Sequence, residues 1–513
     1  MTPFAPVPLL FLPPVDSELQ AFLQEANALL QSAPQLIVSA EADLDAHGCG
    51  KKALRLADAA WHAQRTELLP GMSIEPVSPS PLKLAQGRPR TAAYVVLVAL
   101  LLRGFLGEGF KACDATTLMQ ESITLRVFFA NLGLTLPGRS TLTELVNAIS
   151  NQTRQCLLDA QVARVLTLRL DDFSTLLQDS THVEGNSAWP TDSRLIVALV
   201  TRVLRVGASL GRLQLPAFDA PIVRRHLGIM RMLDREIDLS KGTQQGTRLR
   251  KKRYTRLLRY AKCAQQRLHK AVTLVETVLP GLDTLPSCKA LAERVVLHLR
   301  RDVDALGQVI TNCEARVLHE QQVPMAQKKL SVSDPDAGFI AKGQRIPVIG
   351  YKPQVARSGA GFFVGLLLPQ GNAADSTQLV PMVDEVTRRT GVVPEVVSVD
   401  DGYASASNVA ALQARGCKVI SINGSKGHAL TPQTDWDSDD YILARDQRSA
   451  IESLMFTLKQ GFHFGEVARR GLDAVYGELL EKGLAYNLCR LARFRRAALA
   501  QTKRYGEPLR AAA

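Results

Sequence analysis

The feature that most constrains the fold of this 513-residue chain is an alternation of strand-like and helix-like segments near its C-terminal end. The strand-like runs are IPVIGYK at 346–352, GFFVGLLL at 361–368, VPEVVSV at 393–399 and CKVISIN at 417–423. Helical periodicity covers 376–390 and 405–415 between the later runs. The order strand, strand, helix, strand, helix, strand is an α/β pattern, so we expect a sheet flanked by helices.

The run at 393–399 ends in two adjacent acids, Asp400 and Asp401, which are followed by Gly402. Asp-Gly is common turn chemistry, so a turn accounts for the pair. A metal site also accounts for it, because a strand end can present a carboxylate at the edge of a sheet. The two residues by themselves leave both interpretations open.

A second candidate carboxylate is Glu452, within a segment at 444–462 that we expect to form one helix. Arg445, Arg448 and Lys459 fall on the same helical face as Glu452, opposite an apolar stripe. The face is either an exposed one with weak salt bridges or a metal-ligand carboxylate flanked by phosphate-binding cations. The apolar stripe consists of Ile451, Leu454, Met455 and Leu458.

A third candidate is Asp179, which follows the strand-like run TLRLDDFSTLLQ. Carboxylates from two strands and a packed helix can converge on one point. Such hard oxygen ligands suit Mg²⁺ or Mn²⁺. Two ions about 4 Å apart can activate a water or a 3′-hydroxyl and stabilise the leaving oxygen of a phosphodiester.

The charge balance suggests a polyanionic partner. The formal net charge is +13, which favours nucleic acid over a membrane. Residues 248–270 contain ten cations and no acid. A solvated helix face normally mixes charges of both signs, so a face of one sign favours phosphate contacts. The residues that we expect to bind DNA here are Arg248, Arg250, Lys251, Lys252, Arg253, Arg256 and Arg259.

Composition and periodicity divide the chain into segments. We expect an N-terminal helical segment at 1–69, a Pro/Ser-rich linker at 70–89, a helical region at 90–167, the first part of a catalytic core at 168–191, a helical insertion at 192–325, the remainder of the core at 326–495 and a basic tail at 496–513. Within 90–167, Thr141 and Glu144 fit a capping box at a helix start. That region is either a DNA-binding helix–turn–helix or a plain helical hairpin.

The sequence shows no membrane segment. The longest apolar run, at 92–102, has eleven residues, and a bilayer requires about 20. The proline-rich start is a poor signal peptide, and eight cysteines without CxxC spacing are typical of a reduced protein. We therefore expect a cytoplasmic protein, located at the bacterial nucleoid if it binds DNA.

Five blocks of the sequence resemble the DDE transposases of bacterial insertion sequences, closest to the ISNCY-like group. The blocks are DSTHVEGNSAWPTDS, GYKPQVARSGAGFFVGLLLPQGNAADSTQL, VSVDDGYASASN, VISINGSKG and RSAIESLMFTLKQGF. The resemblance implies a ribonuclease H-like catalytic core. The long spacing between Asp179 and Asp400 predicts that the helical block interrupts this core between its first and second strands, with 346–352 and 361–368 as the second and third strands. Many members of the family place their insertion between the second aspartate and the glutamate instead.

The resemblance assigns roles to individual residues. Asp179, Asp400 and Glu452 match the three catalytic carboxylates, which would hold two Mg²⁺ or Mn²⁺ ions, while Asp401 falls on a variable position. Arg448 and Lys459 match the family spacing around the glutamate and would hold phosphates. Arg445 stands where the family often has tyrosine. Asn423 and Lys426 match positions that contact DNA near the cleaved strand.

The expected activity is DNA transposition. The chain would bind the terminal inverted repeats of its element, cleave a strand and join the freed 3′-hydroxyl to target DNA, as a homodimer or a larger assembly on DNA. Two alternatives remain open at this point. One is a ribonuclease H-like nuclease that cuts without joining, and the other is a domesticated DNA-binding protein without catalysis.

Overall fold

The computed structural model describes residues 18–66, 91–106, 117–119, 121–187, 191–211, 220–240, 244–324, 328, 330–340, 347–430 and 436–505. The linker expected at 70–89 and residues 506–513 of the basic tail lie outside this range. The chain divides into two compact units. The first comprises the described residues of 1–47, 88–186 and 336–513, and the second those of 48–87 and 187–335.

The N-terminal region is helical, as expected. Its helices are α1 (Glu18–Ser32), α2 (Gln35–Thr66), α3 (Ala93–Leu106), α4 (Ile123–Asn131), α5 (Arg139–Ala148) and α6 (Asn151–Thr167). The longest apolar run of the sequence forms α3, and its side chains are almost entirely buried. No helix in the described ranges has the length and apolarity to cross a membrane.

The expected capping box at Thr141 and Glu144 is wrong. Helix α5 begins at Arg139, and its N-cap is Gly138 in an extended conformation without a side-chain hydrogen bond. Thr141 therefore lies inside the helix. The Glu144 carboxylate lies 2.7 Å from the imidazole Nε2 of His47 instead of capping the backbone. Glycine is an acceptable N-cap, so the helix starts three residues earlier than the Thr-Glu spacing indicates.

The strands are β1 (Thr175–Ser180), β2 (Val183–Glu184), β3 (Gly338–Ile340), β4 (Val348–Tyr351), β5 (Gln354–Ser358), β6 (Phe363–Leu367), β7 (Val396–Asp400) and β8 (Val419–Asn423). Five of them form a mixed sheet in the order β6-β5-β1-β7-β8. The central strand β1 is antiparallel to β5 and parallel to β7, and β7 is parallel to β8. This confirms the expectation of a mixed sheet flanked by helices.

The assignment of 346–352 to the second strand of this sheet is wrong. That run forms β4, the middle strand of a separate three-stranded sheet in the order β2-β4-β3. The strand next to β1 is β5, which begins after Pro353. Proline has no N–H to donate. The ladder of β4 therefore ends before Pro353, and β5 pairs in the other sheet after it. The run at 361–368 does lie in the main sheet, as β6.

The second unit is helical in its described residues. Its helices are α7 (Asp192–Gly211), α8 (Pro221–Asp238), α9 (Gln244–Val278) and α10 (Pro286–Cys313), together with the part of α2 after His47. Aliphatic side chains from α7–α10 form one continuous core. Proline stands in the first turn of α8 and α10, where its missing N–H costs no intrahelical bond. In chain order, these helices separate β1 and β2 from the remaining strands.

The helices that complete the first unit are α11 (Leu379–Thr390), α12 (Ala406–Ala414), α13 (Ser425–Leu430), α14 (Asp439–Gln447), α15 (Ser449–Phe462) and α16 (Leu472–Tyr505). The single helix expected at 444–462 is wrong, because α14 ends at Gln447 and α15 begins at Ser449. The backbone N–H groups of Arg448 and Ile451 donate to carbonyls only three residues back. This local tightening ends one α-helix and starts the next.

Helix α16 carries a buried carboxylate at the centre of the first unit. Glu481 is only 2% exposed at its side chain, and three guanidinium groups lie within 3.0 Å of its oxygens. They belong to Arg103 on α3, Arg154 on α6 and Arg469 before α16. Burial alone would raise the pKa of Glu481, but the three cations hold it well below its ordinary value of 4.5.

Candidate active site

The two strand-borne acids predicted as catalytic lie on neighbouring parallel strands. The register of β1 and β7 pairs Leu176 with Val397 and Leu177 with Ser398. Two further residues along each strand bring Asp179 and Asp400 to the same level, at the carboxyl ends of β1 and β7. Adjacent strands lie about 4.8 Å apart. The sheet therefore brings the two acids together without any contribution from the rest of the chain.

Asp400 and its neighbour Asp401 have different surroundings. The Asp400 carboxylate accepts a 2.9 Å hydrogen bond from the N–H of Gly402, two residues on. Asp401 Oδ1 accepts hydrogen bonds of 2.9 Å from the backbone N–H groups of Lys426 and Gly427. Asp401 therefore caps the start of α13. Its role goes beyond the local turn, because it joins the loop after β7 to the loop after β8.

A further acid, Asp375, lies beside these residues. One of its oxygens, Oδ2, is 3.4 Å from the point where a Cβ at residue 402 would stand, and Asp400 Oδ1 is 3.0 Å from the same point. Both carboxylates therefore lie next to Gly402. The sequence contained a signal for Asp375, since the block NAADSTQL places an acid directly before helical periodicity. The motif spacing did not include it.

The hydroxyl of Tyr403 reports the local concentration of negative charge. Its pKa is raised well above 10, and burial is the largest cause. The carboxylates that raise it further are those of Asp375, Asp179 and Asp400. The three acids therefore act on the same buried hydroxyl. The hydroxyl itself donates to Gln354 Oε1.

Glu452 is held differently from the strand acids. It lies in the first turn of α15, and its side chain is 59% exposed. Its carboxylate accepts a hydrogen bond of 3.1 Å from Arg448, four residues earlier. The expected apolar stripe is buried on the other side of the helix, and α15 packs against β1 and β5. Glu452 therefore lies on the helix that packs against the acid-bearing sheet, and its partner in this structure is Arg448.

Carboxylate oxygens at the strand ends are the donors that Mg²⁺ and Mn²⁺ prefer. Asp179 and Asp400 supply this donor type, as does Glu452 on α15, so the chemistry of the predicted residues fits a divalent cation. Over the described ranges, however, no three Asp, Glu, His or Cys side chains are gathered closely enough to hold a metal ion. A complete coordination shell would need Glu452 or another group to move toward the strand ends.

Three of the residues expected to contact DNA line one pocket beside the strand ends. The pocket has a volume of about 470 Å³. It is lined by Asn423, Gly424, Ser425, His428, Arg445, Asp446, Arg448 and Ser449. Asn423 is paired in register with Asp400, and its buried Nδ2 has no hydrogen-bond acceptor among the described residues. A donor without an acceptor next to two arginines favours an anionic ligand.

The other two expected DNA contacts in the first unit lie outside this pocket lining. Lys426 is exposed in the first turn of α13, and its backbone N–H is the one that donates to Asp401. Lys459 is half-buried in the last turn of α15. Arg445 lies at the end of α14 and forms a 3.0 Å ion pair with Asp446. The break at Arg448 therefore separates Arg445 from the helix that carries Glu452 and Lys459.

In the second unit, the basic segment 248–270 lies within α9 (Gln244–Val278). Three of its cations have acidic partners: Arg253 pairs with Glu236 at 3.0 Å, Lys251 with Glu320 at 3.3 Å and Lys262 with Glu314 at 2.7 Å. The remaining cations of the expected set are exposed and have no ion pair with any described residue. They are Arg248, Arg250, Lys252, Arg256 and Arg259. Lys252, Arg256 and Arg259 follow at helical spacing and form one uncompensated face.

The comparison with known families concerns the part of the chain that carries β3–β8 and α11–α15. Residues 317–488, about a third of the chain, match the family model described as a transposase DDE domain. Asp375, Asp400 and Glu452 lie inside the matched segment, and Asp179 lies before it. No curated protein and no solved structure was found to match the chain. Residues 317–488 thus match a transposase DDE domain, which supports the resemblance to DDE-type insertion-sequence transposases.

Proposed function

We propose that this transposase binds the terminal inverted repeats of its element, cleaves a DNA strand and joins the freed 3′-hydroxyl to target DNA. The observation that carries the proposal is the placement of Asp179 and Asp400 at the ends of adjacent parallel strands, in a chain with a transposase DDE domain. The mixed sheet with its first acid on the central strand supports a ribonuclease H-like core. The helices of the second unit would then be an insertion between strands β1 and β5.

Asp179, Asp400 and Glu452 would hold two Mg²⁺ or Mn²⁺ ions, which when bound supply an activated nucleophile and charge stabilisation at the leaving oxygen. The strand carboxylates need no rearrangement for this role, because the sheet sets their positions. Glu452 must exchange its arginine partner. A DNA phosphate that binds Arg448 would compete for the guanidinium and release the Glu452 carboxylate. DNA binding would thereby promote completion of the site.

The cations have two separate roles in this proposal. Arg448, Arg445 and Asn423 line the pocket beside the strand ends, and there they would hold the phosphates of the strand being cut. Lys459 and Lys426 would extend that contact from α15 and α13. On α9, the uncompensated face would contact the DNA backbone without reading the sequence, since phosphate contacts position DNA and base contacts specify it.

The test is a joining assay with a plasmid that carries the native element ends, in Mg²⁺. We expect wild type to yield joined products and Asp400→Ala to yield none. Asp384→Ala is the matched control, because Asp384 is an acid of the same unit that pairs with Arg415 on the surface. Cleavage without joining would indicate a nuclease, and end binding without cleavage would indicate a non-catalytic DNA-binding protein. Either result would overturn the proposal.

The α9 contact is tested by the salt dependence of DNA affinity. The variant is the triple substitution Lys252→Gln, Arg256→Gln and Arg259→Gln. Each lost phosphate contact reduces the slope of log affinity against log salt by about 1. A matched control is Arg253→Gln, whose charge is already compensated by Glu236. An unchanged slope in the triple variant would remove α9 from the interface.

A further inference from the structure

A buried ion pair lies directly behind the strand-end acids. Lys352 Nζ is 2.9 Å from Asp375 Oδ1, and the two side chains are only 7% and 13% exposed. Lys352 also donates to the carbonyl of Ala373 at 3.0 Å. Buried charges are retained at a cost in desolvation unless their partners are in place. The DDE motif spacing assigns no role to either residue.

A hydrogen-bond network connects this ion pair to both strand acids. Gln354 donates from Nε2 to Asp375 Oδ1 at 2.7 Å. Its Oε1 accepts from the hydroxyl of Tyr403 and, at 3.2 Å, from Gln178 Nε2. Gln178 directly precedes Asp179 on β1, and Tyr403 closes the turn that follows Asp400. The network therefore fixes the backbone at the end of each acid-bearing strand.

The turn after β7 has a second attachment to the segment that carries Asp375. Asn408 donates from Nδ2 to the carbonyl of Ser376 at 2.7 Å and to the carbonyl of Tyr403 at 3.0 Å. The segment 375–378 and the turn 401–403 are thus joined through Asn408 as well as through Gln354. A side chain at residue 402 would stand 3.0 Å from Asp400 Oδ1, so glycine permits the close approach of the two carboxylates.

We infer that Lys352 and Asp375 are positioning residues of the active site: their ion pair holds the 401–403 turn so that the Asp400 carboxylate stays level with Asp179. The role depends on the charge arrangement as well as on packing. Lys352 compensates Asp375, which allows a third acid to sit next to two metal-binding acids. The inference rests on the proposed metal-binding role of Asp400.

The competing explanation is that the ion pair only stabilises the fold. Two variants separate these explanations. Asp375→Asn keeps the shape and an acceptor for Gln354 but leaves the Lys352 ammonium buried without a counter-charge. The double variant Lys352→Met, Asp375→Leu removes both charges, and such apolar replacements often restore stability. A purely structural ion pair predicts that the double variant recovers every property, whereas a positioning role predicts that only stability recovers.

The measurement is Mn²⁺ binding to the full chain without DNA, followed by the electron paramagnetic resonance signal of free Mn²⁺, together with the melting temperature. We expect Asp375→Asn to lower Mn²⁺ affinity about tenfold, the size typical for outer-shell partners of metal ligands. The double variant should melt near wild type and keep the affinity loss. Recovery of wild-type affinity in the double variant would overturn the inference.

Tyr403→Phe keeps the inference testable if the double variant does not fold. It removes only the hydroxyl that donates to Gln354, so we expect weaker Mn²⁺ binding with a melting temperature close to wild type. Wild-type binding in both Tyr403→Phe and Asp375→Asn would overturn the inference. Asp384→Asn is the matched charge control. Asp400→Asn tests the proposed function separately from the inference. If this variant does not lower Mn²⁺ affinity, the proposed function itself is overturned.

Discussion

The carboxylates at the strand ends and the carboxylate on helix α15 are held in opposite ways. Asp179 and Asp400 lie on backbone that the sheet fixes, and a buried polar network lies behind them. Glu452 projects from an exposed helical turn and pairs with Arg448. Of the three proposed ligands, Asp179 and Asp400 therefore have positions that the sheet sets. The position of Glu452 depends instead on what Arg448 binds.

The largest expected effect is at the two strand acids, Asp179 and Asp400. Asp400→Asn removes the negative charge and leaves the turn geometry, since an amide oxygen can still accept from Gly402. We expect strand cleavage to fall on the order of 1,000-fold or more, as for loss of a principal catalytic group. A single-turnover cleavage assay measures this. Cleavage within a few fold of wild type would show that the preset acids are not the centre of the site.

A second prediction concerns a carboxylate that the fold compensates fully. Glu481→Gln leaves Arg103, Arg154 and Arg469 without their buried counter-charge, so we expect a loss of about 3–5 kcal/mol of unfolding free energy. The folded pKa of Glu481 is depressed. Its contribution is therefore present above the unfolded pKa near 4.5 and is lost as pH falls below that value. Urea unfolding at pH 7 and pH 4 measures both effects.

The control for that prediction is the difference between the two proteins at each pH, because other acids also titrate near pH 4. The gap in stability between wild type and Glu481→Gln should shrink as pH falls. A gap that stays constant or widens between pH 7 and pH 4 would contradict the depressed pKa. A gap near zero at pH 7 would mean that the arginines find other partners.

A third prediction sharpens the comparison at Glu452. Glu452→Gln removes an exposed pair worth about 0.3–0.5 kcal/mol, so the melting temperature should barely change. Cleavage should fall strongly, because the proposed third ligand is lost. Mn²⁺ affinity without DNA should fall less than in Asp400→Asn, since Glu452 is engaged with Arg448 in the free protein. Equal affinity losses in the two variants would show that all three positions are preset.

The smallest expected effect belongs to Asp401, the acid next to Asp400. Asp401→Ala removes a cap that accepts from Lys426 and Gly427, which costs about 1 kcal/mol. We expect joining activity to be retained at a reduced level. Thermal unfolding and the joining assay measure the two quantities. An inactive Asp401→Ala beside an active Asp400→Ala would reverse the assignment of the two acids.

The α/β pattern, the helical N-terminal region and the helical character of the segment after β2 follow from the sequence, because apolar periodicity and turn residues act locally. The pairing of the strands was harder to predict from the sequence. The run at 346–352 looked like a core strand, and only the tertiary structure showed that Pro353 divides it from the strand that pairs with β1. The helix break at Arg448 was likewise visible only in the tertiary structure, because no proline or glycine marks it in the sequence.

The sequence by itself determined which residue types could do the chemistry: acids at strand ends, a glutamate on an amphipathic helix and cations around them. These are properties of local pattern and spacing. Only the tertiary structure decided that Asp375 and Asp400 both lie next to Gly402, that Asp401 caps α13, and that Lys352 and Gln354 bind Asp375. Such contacts join residues far apart in the chain, and their energies depend on burial and distance, which no local pattern encodes.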